Sequence, residues 1–191
     1  MDARKHFSAL QIIHHVLELH VGHGDRCIDA TAGRGKDTLF LANLVGETGY
    51  VTAFDIQQGA IDSTKALLAA NGMENRTSVI LDSHANMEQY AEAGTVSAIT
   101  FNFGWLPGGD HNVFTKPESS IQAIEAGLRL LKTDGIMTLI LYYGRETGFA
   151  ERDALLAYLP TLDSNLYTVV EMPFVNRQNC PPIPIVIFKG Q

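Results

Sequence analysis

Asp29-Ala30-Thr31-Ala32-Gly33-Arg34-Gly35-Lys36-Asp37-Thr38 is the stretch that decides the fold. It closes the apolar run Arg26 to Ala30 and opens an amphipathic segment, so it reads as the turn between a first strand and a helix. Two nucleotide pockets fail to explain it. A dinucleotide fingerprint needs GxGxxG, but Gly33 and Gly35 are followed by Thr38 where the third glycine belongs. A P-loop needs GxxxxGK[ST], but Ala30 replaces its first glycine and Asp37 its hydroxyl residue. That carboxylate would repel phosphates.

A third pocket accommodates the same residues. In class I methyltransferases a turn of small residues lets the backbone approach S-adenosyl-L-methionine, and acidic groups meet its ammonium and ribose. This donor carries no phosphate, so Asp29 and Asp37 favour binding rather than oppose it. Thr31, Gly33, Gly35 and Thr38 form the rest of the turn. Asp55 ends the second strand twenty-two residues after Gly33, where a carboxylate meets ribose hydroxyls. The competing explanation is that Asp29 and Asp37 only cap the helix.

Outward from this turn, strands and helices alternate. A helix over about Phe7 to His20 carries Leu10, Ile13 and Leu17 on one face. Strands are expected at Arg26 to Ala30, Tyr50 to Asp55, Ser78 to Leu81, Val96 to Phe101 and Gly135 to Tyr142. Thr115-Lys116-Pro117-Glu118 has capping-box spacing, and Thr133-Asp134-Gly135 should end the helix it opens, whose apolar face is Ile121, Ile124, Leu128 and Leu131. Another helix is expected near Ala150 to Leu159. Leu166 to Phe174 and Ile183 to Phe188 then follow without a helix between them, which suggests a terminal hairpin. The expected fold is α/β: a class I methyltransferase, Rossmann-like, doubly wound and mostly parallel seven-stranded sheet with a C-terminal antiparallel hairpin, in a single domain over residues 1–191. Ligands of such sheets bind beyond the strand C-termini.

The third of those turns, Leu81-Asp82-Ser83-His84, lies where this fold sets side chains beside the adenine; a plain surface turn is the alternative. The fourth, Phe101-Asn102-Phe103-Gly104-Trp105-Leu106-Pro107-Gly108-Gly109-Asp110, is similar to the Asn/Asp-Pro-Pro-aromatic loop of amine methyltransferases. An amine attacks a sulfonium methyl in line, so its lone pair must be oriented and the planar group that bears it held. Asn102 supplies a carbonyl acceptor and Trp105 a stacking face. Asp110, or His111 beside it, stands where a proton acceptor would be useful, although desolvation alone also lowers an amine's pKa. A core strand followed by a buried Trp is the competing explanation. No cysteine lies in this loop, so a thiolate nucleophile has no candidate there.

Composition narrows the class. The 191 residues are 46% hydrophobic and carry a net charge of −7, which suits one buried core and argues against a protein that coats duplex DNA. A short basic rim remains compatible with RNA. Cys27 and Cys180 fit neither a disulfide framework nor zinc-ligand spacing, so no metal is expected. The N-terminus has no uncharged apolar core, and no stretch approaches the ~20 apolar residues of a membrane span. A cytoplasmic location follows as the expectation.

DATAGRGKDT at 29–38, NFGWLPGGD at 102–110, YYGRETG at 142–148 and NRQNCPPIPIVIFK at 176–189 together resemble small bacterial methyltransferases once labelled rRNA methylases. That family is associated with methylation of tRNA 5-aminomethyluridine to 5-methylaminomethyluridine at the wobble position. The resemblance implies donor contacts from Asp29, Gly33, Gly35, Asp55, Gln57, Ser83 and His84, and an acceptor side formed by Asn102, Phe103, Gly104, Trp105, Leu106, Pro107, Gly108 and Gly109. Arg34 and Lys36 depart from the family pattern, standing where Asn and His are expected; His111 stands where Lys is usual, and Arg145 where a His often follows Tyr-x-Gly. Tyr142, Arg145 and Arg177 complete the residues assigned to RNA. The implied function is S-adenosyl-L-methionine-dependent N-methylation in a tRNA anticodon loop, with no DNA or membrane partner and a homodimer left open. Two alternatives stand beside it: methylation of rRNA or a small-molecule amine, and an RNA-binding module that retains the donor without turnover.

Overall fold

The computed structural model describes residues 7–104, 116–144 and 146–190. The elements run α1 (Ala9–His20), β1 (Arg26–Asp29), α2 (Lys36–Val45), β2 (Tyr50–Asp55), α3 (Gln58–Ala70), β3 (Thr77–Leu81), a 3-10 segment (His84–Gln89), β4 (Val96–Phe103), α4 (Pro117–Leu130), β5 (Leu131–Leu141), α5 (Glu146–Tyr158), β6 (Tyr167–Glu171) and β7 (Ile183–Lys189). They form one seven-stranded sheet in the order β3-β2-β1-β4-β5-β7-β6. The first five strands pair in parallel, β7 lies antiparallel to β5, and β6 closes the hairpin on β7. This is the α/β architecture expected from the sequence.

The period of two along each central strand sorts side chains onto two cores. On β4, Ile99, Phe101 and Phe103 pack with Ala123 and Ile124 of α4 and with Leu155 of α5. Ala98, from the intervening set, packs with Ile13 and Leu17 of α1 and Leu41 of α2. Thr100 shares that face, its hydroxyl accepting from Thr138 at 3.0 Å. Asn102 therefore falls on the α1/α2 face, while Phe103 faces α4. Because both faces are covered, the strand is buried along almost its whole length rather than at alternate residues.

Among the boundaries that differ from expectation, three concern β4 and α4. β4 continues to Phe103, two residues past Phe101, because Asn102 and Phe103 keep pairing with Ile140 and Leu141 of β5. α4 stops at Leu130 rather than at Thr133-Asp134-Gly135; Leu131 already pairs with Val96, and a bulge before the Ala98–Ile136 pair absorbs Asp134 at φ 60. Gly135 is required there, since a Cβ would lie 2.9 Å from the Lys132 carbonyl oxygen. At the other end of α4, Lys116 is the N-cap without a side-chain cap bond and Pro117 opens the helix, so the Thr115 capping box is not the start; Thr115 itself lies outside the described residues. A capping box does occur on α1, where Ser8 and Gln11 satisfy each other's backbone N–H groups. Among the described residues no helix is long and apolar enough to cross a membrane.

Candidate active site

A cavity of about 570 Å³ opens beyond the C-terminal ends of the parallel strands, where the connections from β1 and β4 diverge. Each strand end contributes to its wall: Thr31, Gly33 and Arg34 after β1, Asp55 at the end of β2 and Gln57 after it, Asp82, Ser83 and His84 after β3, Asn102 on β4 and Gly104 after it, and Tyr142 after β5. Leu10, Lys36, Asp37 and Ser119 reach it from the helices.

The floor is the turn after β1. Gly33 and Gly35 hold φ of 54° and 79°, the left-handed region in which a side chain is strained. At Gly35 a Cβ would also meet the Thr64 Cα at 2.9 Å, so glycine allows α3 to pack against the turn. Asp55 shapes the same turn across the sheet: its Oδ2 accepts from the Gly33 N–H and its Oδ1 from the Gln57 N–H, each at 2.9 Å. Thr64 donates to the Gly33 carbonyl at 3.2 Å.

Asp29 stands behind this floor. It is fully buried, accepting from the Thr38 hydroxyl at 2.6 Å and the Thr31 N–H at 3.2 Å. Burial pushes its carboxyl up to about 7, helped by the negative charge of Asp37 and opposed by the Thr38 and Thr31 hydrogen bonds. Asp29, Gly35, Thr38 and Phe103 do not line the cavity. Neither carboxylate caps α2, whose N-cap is Gly35 without a side-chain bond.

Asp37 instead bridges two elements. Its Oδ1 lies 2.8 Å from His14 Nε2 on α1, and its Oδ2 accepts from Asn102 Nδ2 at 2.8 Å. The Asn102 backbone N–H donates to the Thr31 hydroxyl at 2.7 Å. Asp37 and Asn102 together thus tie α1, the β1 turn and the end of β4.

On the opposite wall, Asp82 accepts from the Ser83 N–H, the Asn86 amide and the Tyr90 hydroxyl. The Asn86 bond, then the Tyr90 bond, hold its carboxyl below the ordinary value. His84 Nδ1 lies 3.2 Å from the Ala30 carbonyl oxygen and must carry the proton there. Burial lowers the pKa of His84, favouring its neutral form, and its ring lies edge-on to Phe101 and Phe103. Tyr142 closes the far side beside Gly104, where a Cβ would approach the Tyr142 Cβ to 3.0 Å. Burial, then the charge of Asp37, raises the Tyr142 hydroxyl.

Trp105, Leu106, Pro107, Gly108, Gly109, Asp110 and Arg145 lie outside the described residues. Arg177 lies away from the cavity wall, its guanidinium 3.8 Å from the centre of the Phe174 ring and donating to the Phe7 carbonyl, which joins the C-terminal loop to the chain before α1. Sequence reasoning missed His14, Leu10 and Ser119. His14 follows Leu10 by four residues and precedes Leu17 by three, so it lies beside the apolar stripe; that was the available signal.

A family model described as "Putative rRNA methylase" matches residues 51–188. The chain is 34% identical over 189 residues to the chloroplastic tRNA (mnm(5)s(2)U34)-methyltransferase of Arabidopsis thaliana, covering 94% of this chain and 68% of that protein. Among solved structures, a "putative rRNA-methylase" from Clostridium thermocellum is 43% identical, with a TM-score of 0.93 over 95% of this chain and 97% of the other. A "putative methyltransferase" from Streptococcus mutans, solved in complex with SAH, is 32% identical, with a TM-score of 0.86 over 99% of each chain. With the family model spanning most of the chain and the Arabidopsis relative 34% identical over 94% of it, the chain belongs to the rRNA methylase family of methyltransferases.

Proposed function

We propose that this methyltransferase moves a methyl group from S-adenosyl-L-methionine to the amine of 5-aminomethyluridine at the wobble position of tRNA, giving 5-methylaminomethyluridine. The observation that carries the reading is the polarity of one cavity, with Asp55 and Asp82 at its β2/β3 side and Asn102 with Tyr142 at its β4/β5 side. The residues suit a phosphate-free donor: the left-handed glycine turn admits the backbone, and the carboxylates complement its hydroxyls and positive groups. When bound, S-adenosyl-L-methionine supplies an electrophilic methyl group.

Asp55 takes the ribose hydroxyls with the lone pairs that Gly33 and Gln57 leave to it. Ser83 and His84 border the adenine, while Thr31, Gly33 and Asp37 line the path of the amino-acid part. Asp29 and Thr38 support that turn from behind. Asn102 orients the amine through its carbonyl oxygen, with Trp105 holding the uracil ring. The amine reaches the reaction neutral because its desolvation in the pocket disfavours the charged form. Arg34 and Lys36, on the cavity wall, meet the phosphates of an anticodon loop, whose nucleotides are already unpaired. The tRNA activity in the description of the Arabidopsis relative supports this choice of substrate.

The experiment is methyl transfer from labelled donor to tRNA that carries 5-aminomethyluridine, with tRNA lacking the group and free alkylamines as the other arms. Label recovered as 5-methylaminomethyluridine, and only from the first tRNA, is the expected result. Transfer to rRNA or to small amines alone, or none to any acceptor, would overturn it.

A further inference from the structure

Asp37 of α2 joins α1 to the end of β4. His14 is held flat against Phe40, with ring centres 3.8 Å apart and planes within 7°. That stack fixes Nε2 at 2.8 Å from Asp37 Oδ1. A carboxylate only accepts, so Nε2 carries the hydrogen, and on the other oxygen the Asn102 amide must present its NH2 arm, 2.8 Å away. An asparagine amide has two ends of nearly equal shape and opposite hydrogen-bonding character, and this arrangement allows one of its two orientations. The carbonyl oxygen is thereby kept on the arm that points away from Asp37, available to a donor in the cavity that Asn102 lines.

We infer that His14 and Asp37 are positioning residues for methyl transfer: they lock the Asn102 amide so that its carbonyl oxygen, not its NH2 group, meets the substrate nitrogen. This rests on reading Asn102 as the group that orients the amine. A flipped amide would place N–H donors against the lone pair that must attack the methyl, so the lock acts on turnover rather than on donor binding. His14 does not line the cavity, which separates its effect from direct contact with the donor.

His14→Phe keeps a ring against Phe40 and removes the Nε2–H; Asp37→Asn keeps shape and removes the compulsion on the amide. With donor saturating, both should lower kcat on 5-aminomethyluridine tRNA by about tenfold or more, while KM for tRNA changes by less than about threefold. For His14→Phe the affinity for S-adenosylhomocysteine should also stay within about threefold. In an Asn102→Ala background, where no amide remains to be oriented, His14→Phe should cost less than about twofold. Full kcat in both variants, or an undiminished loss for His14→Phe in the Asn102→Ala background, would overturn the inference. If the wild-type enzyme leaves this tRNA unmethylated, the functional reading fails and the lock is decided separately by NMR. The side-chain NH2 resonances of Asn102, assigned by their loss in Asn102→Ala, shift in both variants if the lock exists; unmoved resonances refute it.

Discussion

Replacing Asp29 with Asn should make the protein more stable, and increasingly so as the pH rises. Asp29 is fully buried, and its carboxyl is raised from 3.8 to about 7 by burial and by the charge of Asp37. Below about pH 4 the group is protonated in the folded and the unfolded chain and contributes no pH dependence. Between about pH 4 and 7 the unfolded chain releases the proton and the folded one retains it, so stability falls by roughly 1.4 kcal/mol per pH unit. Above that window both forms are ionised and the loss levels off on the order of 4 kcal/mol. An Asn at this place cannot ionise, yet it can accept from the Thr31 N–H through Oδ1 and donate to the Thr38 hydroxyl through Nδ2. Urea unfolding of both proteins at several pH values from about 5 to 8 reads the effect, because every other titrating group cancels to first order in the difference. The variant should gain a few kcal/mol over the wild type across that range. A difference that stays flat with pH would mean that the Asp29 charge is well solvated in the fold and that its buried setting was misjudged.

Asp55→Ala should weaken S-adenosylhomocysteine binding by about 1.5 to 3 kcal/mol, roughly tenfold to a hundredfold, since a charged acceptor is lost along with its hold on Gly33; unchanged affinity by calorimetry would remove Asp55 from the ribose site. Asn102→Ala should lower kcat by about tenfold or more with donor affinity within about threefold; a donor-binding loss that accounts for the whole rate loss would move Asn102 to the donor side. Asp110→Asn and His111→Ala should each lose less than about tenfold in single-turnover rate near pH ~8.5, because removal of a true general base costs ~10²- to 10⁴-fold. A thousandfold collapse in either would replace desolvation with a side-chain base.

Much of the scaffold was legible because its signals are local. The Gly33/Gly35 turn, the alternation of apolar runs with amphipathic stretches, and the absence of a helix between the last two strands each depend on residues close in sequence. The end of α4 was misread because Thr133-Asp134-Gly135 has the composition of a helix stop, while pairing of Leu131 with the distant Val96 had already drawn the chain into β5. Local turn chemistry was outweighed there by sheet register.

The site divides along the same line. Asp55, Ser83, His84 and Asn102 could be placed from sequence because strand ends in a parallel sheet converge on one edge, so position along the chain already implies position in space. Which way those side chains turn was decided only by the tertiary structure. Asp29 proved to stand behind the turn, facing Thr38, because period-two alternation and the α2 packing bury it. Arg177 proved to be bound against Phe174 and the Phe7 carbonyl, away from the cavity wall. His14 joined the site through Asp37, twenty-three residues away, and Asp37 in turn reached Asn102 across sixty-five. No periodicity encodes such contacts, since they depend on how α1 crosses the sheet over β4, β5 and β7. The sequence by itself determined the order of strands and helices and the edge at which chemistry collects; the packing of helices over that edge decided which polar groups meet, because hydrogen-bond partners are chosen by distance and direction rather than by place in the chain.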